Sequence, residues 1–486
     1  MIKKAIEKYK MLSQEVRASF WFLVCGFLQR GISVITTPIF SRVLTTAEYG
    51  DFSVFNTWTN IVTIFATLNL ASGVYTRGLI KYGDDRDQYT GSLESLLIVC
   101  VGVAFAVYLL FQEQWNQFFG LSSSFMYAMF IEILVAAAFH FWSAQQRVDV
   151  KYVRLVFFTL LNALLRPTVG VIAVLSFPEH RLEARIYSMV LVDTLTFGIF
   201  FLGFFKNGLK TLTTKYWKYA LAFNLPLVPH YLSQVVLNQS DRVMIKSLVG
   251  SSEAGIYSLA YSLASLMLIL NTAVVNTLTP WMYKKILKKD YSSIGTKTLP
   301  ILLLIAFTNF TLVAFSPEAF RILAPASYHS AIWVIPSVAA STYFIFMYSL
   351  FSNFEYYYDK TKFMMGISVA GACLNVLLNY IFIPIYGFYA AGYTTLFCYI
   401  LYCIGHYLIM RWVSRKYMGG EKVYNMKLIV MISALFLLLC GLMMMVYNHM
   451  LIRILLYAAI CAAFVVKRKD FVRIFAEMRD AKHEEV

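Results

Sequence analysis

The sequence predicts an all-α polytopic membrane protein of about fourteen transmembrane helices, arranged as two parallel six-helix repeats followed by two C-terminal helices. Three observations predict it. The 486 residues are 59% hydrophobic and only 14% charged, whereas soluble domains carry about 25% charged residues. Apolar runs of about 20 residues recur, the length at which a helix crosses a bilayer; barrel strands would be about 10 residues and alternating. Finally, the stretches from Phe27 to Phe55 and from Asn224 to Ser262 echo one another. Setting Glu48-Tyr-Gly-Asp-Phe-Ser53 on Glu253-Ala-Gly-Ile-Tyr-Ser258 aligns Glu, Gly and Ser, so the chain reads as a duplication. An even number of passes separates the copies, which makes the repeats parallel, related by an axis along the membrane normal.

Taken in order, residues 1–17 read as a basic amphipathic segment lying on the membrane. They show no apolar core or small-residue cleavage site, so no cleavable signal is expected there. Spans near 18–38, 53–75, 93–112, 125–143, 153–176 and 184–205 form an N-lobe over 18–205. Spans near 219–240, 256–280, 299–317, 331–352, 364–384 and 388–410 form a C-lobe over 206–410. A last pair, near 427–447 and 450–466 within 411–466, is joined only by Asn448-His449, and 467–486 is a charged cytoplasmic tail. Lys and Arg placement fixes the expected orientation: 33 of the 42 fall on the N-terminal side of the membrane, seven on the other, and Arg30 and Arg166 inside spans. By the positive-inside rule both termini face the cytoplasm. The net charge of +16 then belongs to the cytoplasmic face beside anionic lipid, and needs no nucleic acid partner. All seven cysteines fall inside apolar spans, where they read as small packing residues; neither a disulfide nor a metal site is expected. Outer connections are short, so any chemistry takes place in the bundle or at its mouths. No catalytic or cofactor motif appears, and the chain is not expected to be an enzyme.

Ionisable groups at membrane depth are costly and mark function by default. Arg30, Glu132, Arg166 and Asp193 stand out, all in the first half. Counting 1.5 Å per residue from the span ends puts all four in one layer of the outer half of the N-lobe. One reading is a cavity where Arg30 and Arg166 meet an anionic group, with Asp193 and Glu132 as counter-ions or proton carriers; a planar guanidinium fork suits phosphate. The other is two internal Arg–carboxylate pairs that lock helices together. Pro167, next to Arg166, can kink its span. Arg77, Arg147 and Arg154, with Lys81 and Lys151, line the cytoplasmic mouth, where an anion would be concentrated. The C-lobe spans carry neutral polar groups instead, with His230, Gln234, Asn238, Asn375 and Asn379 as cavity candidates. Packing roles are the competing reading for these and for His406.

Several stretches carry a family resemblance. They are Phe40-Ser-Arg42 through Glu48-Tyr-Gly50, Leu225-Pro226 through Asp241-Arg242 to Gly255-Ile-Tyr-Ser258, and Glu355-Tyr-Tyr-Tyr-Asp-Lys-Thr-Lys362. Gly371-Ala-Cys-Leu-Asn375, Leu378-Asn379-Tyr380, Ile383-Pro384, Tyr386-Gly387 and Ala390-Ala-Gly392-Tyr-Thr-Thr395 complete the set. In order and spacing they resemble polysaccharide biosynthesis proteins of the Wzx type, in the MOP (multidrug/oligosaccharidyl-lipid/polysaccharide) exporter superfamily. The resemblance implies two six-helix lobes in a V, and a flippase for O-antigen or capsule repeat units in the bacterial inner membrane. It implies an undecaprenyl-pyrophosphate oligosaccharide as cargo, alternating access as mechanism, and basic cavity residues for the pyrophosphate. Polymerase and chain-length proteins of the same pathway are implied partners; a chain holding both lobes reads as a monomer. A cation-coupled multidrug exporter or a lipid II flippase of the same superfamily are the alternatives. A membrane polymerase or glycosyltransferase is the alternative from another class, disfavoured by the short outer loops.

Overall fold

The computed structural model describes residues 13–210 and 213–466, and all regular structure among them is helical. The chain divides into two compact units, one ending at Lys246 and the next beginning at Ser247. Of the expected N-terminal surface segment, residues 1–12 lie outside the described residues, as does the tail 467–486.

The first unit opens with α1 (Gln14–Val43), which starts at a Ser13 cap rather than at residue 18. Next comes α2 (Thr46–Thr67), set by a reciprocal cap: the Glu48 amide donates to Thr45 Oγ1 at 3.2 Å, and the Thr45 amide to Glu48 Oε2 at 2.7 Å. It ends at Leu68 and Asn69, both at positive φ. The span expected over 53–75 therefore lies seven residues earlier at its start. A polar turn then leads into α3 (Val74–Lys81). The remaining helices are α4 (Arg86–Leu110), the short α5 (Gln112–Phe119), α6 (Ser123–Val148), α7 (Tyr152–Ser176), α8 (Arg181–Lys210), α9 (Trp217–Asn224) and α10 (Val228–Leu248). Pro226 separates α9 from α10 by a single 3-10 turn. There the buried Asn224 amide donates to the Leu68 carbonyl at 2.8 Å, meeting a helix-end acceptor of α2. The core is aliphatic and aromatic, with Tyr75, Tyr89 and Phe141 fully buried.

The second unit holds α11 (Ser251–Ala264), α12 (Met267–Leu287), α13 (Tyr291–Leu323), α14 (Ile335–Tyr357), α15 (Thr361–Tyr386), α16 (Tyr389–Tyr417), α17 (Met426–Met445) and α18 (Met450–Val466). Nearly every side chain of α14 is buried, and it packs along α16 because Gly392 lets the two backbones close. A Cβ at that position would lie 2.4 Å from Ser337 Oγ. Against α13, α18 is bolted by Arg453 with Glu318 and by Tyr457 Oη with Thr311 Oγ1 at 3.0 Å.

Twelve helical segments among the described residues are long and apolar enough to cross a membrane. The protein is a multi-pass membrane protein. Two of the fourteen expected spans differ in kind: α2 has a polar face, and α18 is apolar but only 17 residues long. Two others are subdivided, Trp217–Leu248 at Pro226 and Ser251–Leu287 at the turn between α11 and α12.

Candidate functional site

Helices α6, α7 and α8 each contribute to one ionic cluster in the first unit. Asn162 and Arg166 sit one turn apart on α7, so they share a face. Asp193 and Thr196 lie three apart on α8, and Glu132 comes from α6. Arg166 Nη2 lies 3.3 Å from Glu132 Oε1 and 3.6 Å from Asp193 Oδ2. Asn162 Nδ2 donates to Asp193 Oδ1 at 2.6 Å and to Thr196 Oγ1 at 3.0 Å. Asp193, Glu132 and Asn162 are buried, whereas a third of the Arg166 side chain is exposed. Glu132 Oε2 is buried without a hydrogen bond. The two carboxylates take up only Nη2 of Arg166, and Arg185, which interacts with Asp193 and Arg166, is a second cation beside them.

The cluster lies on the wall of an open cavity of about 870 Å³ lined by residues of the first unit. Much of another wall is α2, which presents Asn56, Thr59, Asn60, Thr63 and Thr67 to it. This spacing of three and four residues is one helical stripe, and it is why α2 is too polar to count among the apolar spans. Thr59, Thr63 and Thr67 donate back to the carbonyls of Phe55, Thr59 and Thr63 at 2.9, 2.6 and 2.7 Å. Each hydroxyl donor is thereby satisfied within the helix; the lone pairs of Thr59 and Thr63 remain as acceptors, while Thr67 Oγ1 also accepts from the Asn69 amide at 3.2 Å.

The structure brings together three of the four expected ionisable residues. Arg30 is exposed on α1 and does not join the cluster, although its neighbour Gln29 lines the cavity. Depth along the membrane was the basis for grouping it, and depth leaves the rotation of a helix about its axis free. Of the expected mouth residues, Arg147 lines the cavity; Arg77 and Arg154 are exposed and outside its lining. Arg77 stacks over Phe223 at 5.5 Å. Helix α7 runs unbroken through Pro167.

His230, Gln234 and Asn238 lie on α10, in the first unit, and do not line its cavity. The Asn238 amide turns back to the Gln234 carbonyl at 2.7 Å. Asn375 and Asn379 are fully buried in a seam between α15 and α16 rather than at an open surface. There Asn379 Nδ2 donates to Asn375 Oδ1 at 3.2 Å, Asn375 Nδ2 to Thr395 Oγ1 at 3.1 Å, and Thr394 to Asn379. A seam of neutral polar groups satisfying one another is how membrane helices are held together. His406 is buried too, its Nδ1 2.8 Å from Glu355 Oε1.

Two features escaped the sequence. One is the α2 stripe, whose signal was there in the periodicity of Asn and Thr. The other is Arg185, which reads as a loop residue but is buried on α8 between the rings of Phe40 and Phe52, 3.9 and 4.6 Å from their centroids. Gly170 makes room for it, since a Cβ there would lie 2.5 Å from Arg185 Nη1.

The sequence pattern of the family described as polysaccharide biosynthesis protein matches residues 16–286, more than half of the chain and all of the cavity. The chain belongs to this family. Among individual relatives, a Haloferax volcanii protein named "Probable low-salt glycan biosynthesis flippase Agl15" is 23% identical over 415 residues, 83% of this chain and 85% of the relative. Two solved structures share the fold. The lipid II flippase MurJ, in its inward closed conformation, matches with a TM-score of 0.67 at 14% identity, covering 92% of this chain and 99% of its own. An inward-facing multidrug resistance MATE family transporter of the MOP superfamily matches with a TM-score of 0.62 at 12% identity, covering 79% and 95%. This member of the polysaccharide biosynthesis family therefore has the fold of those membrane transporters.

Proposed function

We propose that this chain is a flippase that carries undecaprenyl-pyrophosphate-linked oligosaccharide repeat units to the outer leaflet of a bacterial inner membrane for polysaccharide assembly. It works by alternating access, and its termini are cytoplasmic. The observation that carries the reading is the first-unit cavity, in which a part-exposed guanidinium meets a wall of hydroxyls and amides. Arg166 offers its remaining donors to the pyrophosphate, a geometry suited to paired hydrogen bonds. The α2 stripe offers acceptors to sugar hydroxyls. Arg30, one residue from the cavity wall, is the second candidate for the head group. The family supports the reading, and so do the names of the relatives, which concern glycan and lipid II flippases.

The ion count adds a condition. With Glu132 and Asp193 both ionised they are matched by Arg166 and by the buried Arg185, which interacts with both Asp193 and Arg166, so a proton on Glu132 leaves the site net positive and attracts an anionic head. His140 and Arg147 are the other titratable and charged groups on the cavity wall. Transport by the wild type should then depend on pH, and Glu132→Gln should flatten that dependence; an unchanged profile would remove Glu132 from the coupling.

The deciding experiment follows the leaflet in which the lipid-linked repeat unit resides. Cells lacking this chain should accumulate it in the cytoplasmic leaflet, and the intact chain should relieve this. Arg166→Ala should insert normally yet fail to relieve it, with transport lower by 10-fold or more, about 1.4 kcal/mol. If the unit reaches the outer leaflet normally without the chain, the flippase reading falls.

A further inference from the structure

A second cavity, of about 740 Å³, lies within the second unit among the start of α13, the end of α16 and the start of α17. It is shaped by the strap between α16 and α17. Gly419 and Gly420, at φ 65 and 82, turn the chain back. Arg411 Nη1 and Ser414 Oγ both donate to the Glu421 carbonyl, at 2.9 and 2.5 Å. The Val423 carbonyl then approaches Gly295 so closely that a Cβ there would lie 1.9 Å from it. The strap is thus fixed on α13, and the cavity is a built feature.

Its charges are one-sided. Arg411, Lys422 and Lys427 line it, and no acidic side chain does. Among the described residues none of the three makes a salt bridge. Four basic residues at or beside other helix ends do have aspartate partners: Arg86 and Lys151 share Asp149, Lys215 has Asp85, and Lys285 has Asp290. Directly beyond the cavity α17 becomes the most apolar of the spans, and it leaves Val430, Met431, Leu435, Leu438 and Leu442 exposed. A cationic cup opening onto an exposed apolar helix face fits a molecule with an anionic head and hydrocarbon tails.

We propose that this cavity binds the phosphate headgroup of an anionic membrane phospholipid, whose acyl chains lie along α17. Arg411, already oriented by its backbone bonds, presents its fork to the phosphate, and the two lysines act as flexible point charges. This is independent of what the first-unit cavity carries.

The full chain, purified in detergent, is titrated with phosphatidylglycerol and with phosphatidylcholine and read by native mass spectrometry. Phosphatidylglycerol should bind preferentially. Removing each lysine charge should weaken it roughly fivefold, so Lys422→Gln with Lys427→Gln should weaken it on the order of 25-fold. Lys288→Gln with Lys289→Gln, exposed and outside the cavity lining, should bind as the wild type does. Equal weakening in both pairs, or none in the first, overturns the proposal. So does inorganic pyrophosphate binding as tightly as the lipid, because the ligand would then be a soluble phosphate.

Discussion

Arg166 is held by two carboxylates through a single nitrogen, and each carboxylate is held differently. Asp193 has Asn162 as a second donor, whereas Glu132 keeps one buried oxygen without a partner. Asn162 is therefore a positioning residue: it fixes the Asp193 rotamer and, through it, the guanidinium. Replacing it with Ala removes a hydrogen bond to a buried charge, so Asn162→Ala should lower thermal stability by about 1–3 kcal/mol in the purified protein. Stability equal to the wild type would mean that Asp193 finds another donor. Three of these ions were legible in the sequence because charge at membrane depth is rare, and rarity is itself the signal. Arg185 was not legible. Phe40 and Phe52, the rings it lies between, come from α1 and α2, more than a hundred residues earlier.

Helix ends and helix faces explain the rest of the mismatch. Asn and Thr have no fixed preference in a span, so α2 shows as a functional element only when their spacing is set against a cavity. Thr63→Val keeps the shape of one stripe residue and removes its hydroxyl. It should insert normally and weaken transport several-fold; full transport would detach the stripe from cargo recognition. At α13 the boundary is set by Asp290, whose carboxylate accepts from the Ser293 amide at 3.3 Å and pairs with Lys285 at 2.5 Å. The Lys285 ammonium, followed by the Ser293 side chain and amide, holds the Asp290 carboxyl down from 3.8 to about 2. A folded-state value below the unfolded one means that the stabilisation is present above about pH 4 and lost as pH falls towards about 2. Because the side chain is a third exposed, water screens the pair, and ion pair and cap together contribute about 1 kcal/mol. Asp290→Ala should lose that at pH 7, and the gap to wild type should close in acid. A gap that persists at pH 2 would mean a packing defect.

For the whole molecule, composition and run length were enough to read an all-helical membrane protein, because the bilayer admits so few alternatives. Where the spans break was harder to read, since Pro226 and Gly73 punctuate runs whose hydropathy is continuous. The proposed orientation rests on the Lys and Arg asymmetry. An alkaline phosphatase fused after Val486 should be inactive, and one inserted at Asn448 active, since the enzyme folds only outside the cytoplasm. The reverse pattern would invert the topology.

The ionic cluster also has a consequence for how the chain is made. Glu132 leaves the ribosome 34 residues ahead of Arg166, so α6 reaches the translocon carrying a carboxylate whose partner is still inside the ribosome. A lone acid at that depth opposes release into lipid by about 2.5–3.5 kcal/mol. Helices α6 and α7 should therefore leave the translocon together, as a hairpin. A nascent chain ending before α7 should insert α6 poorly, one extended through Ser176 should insert both, and Glu132→Leu should free α6 from waiting.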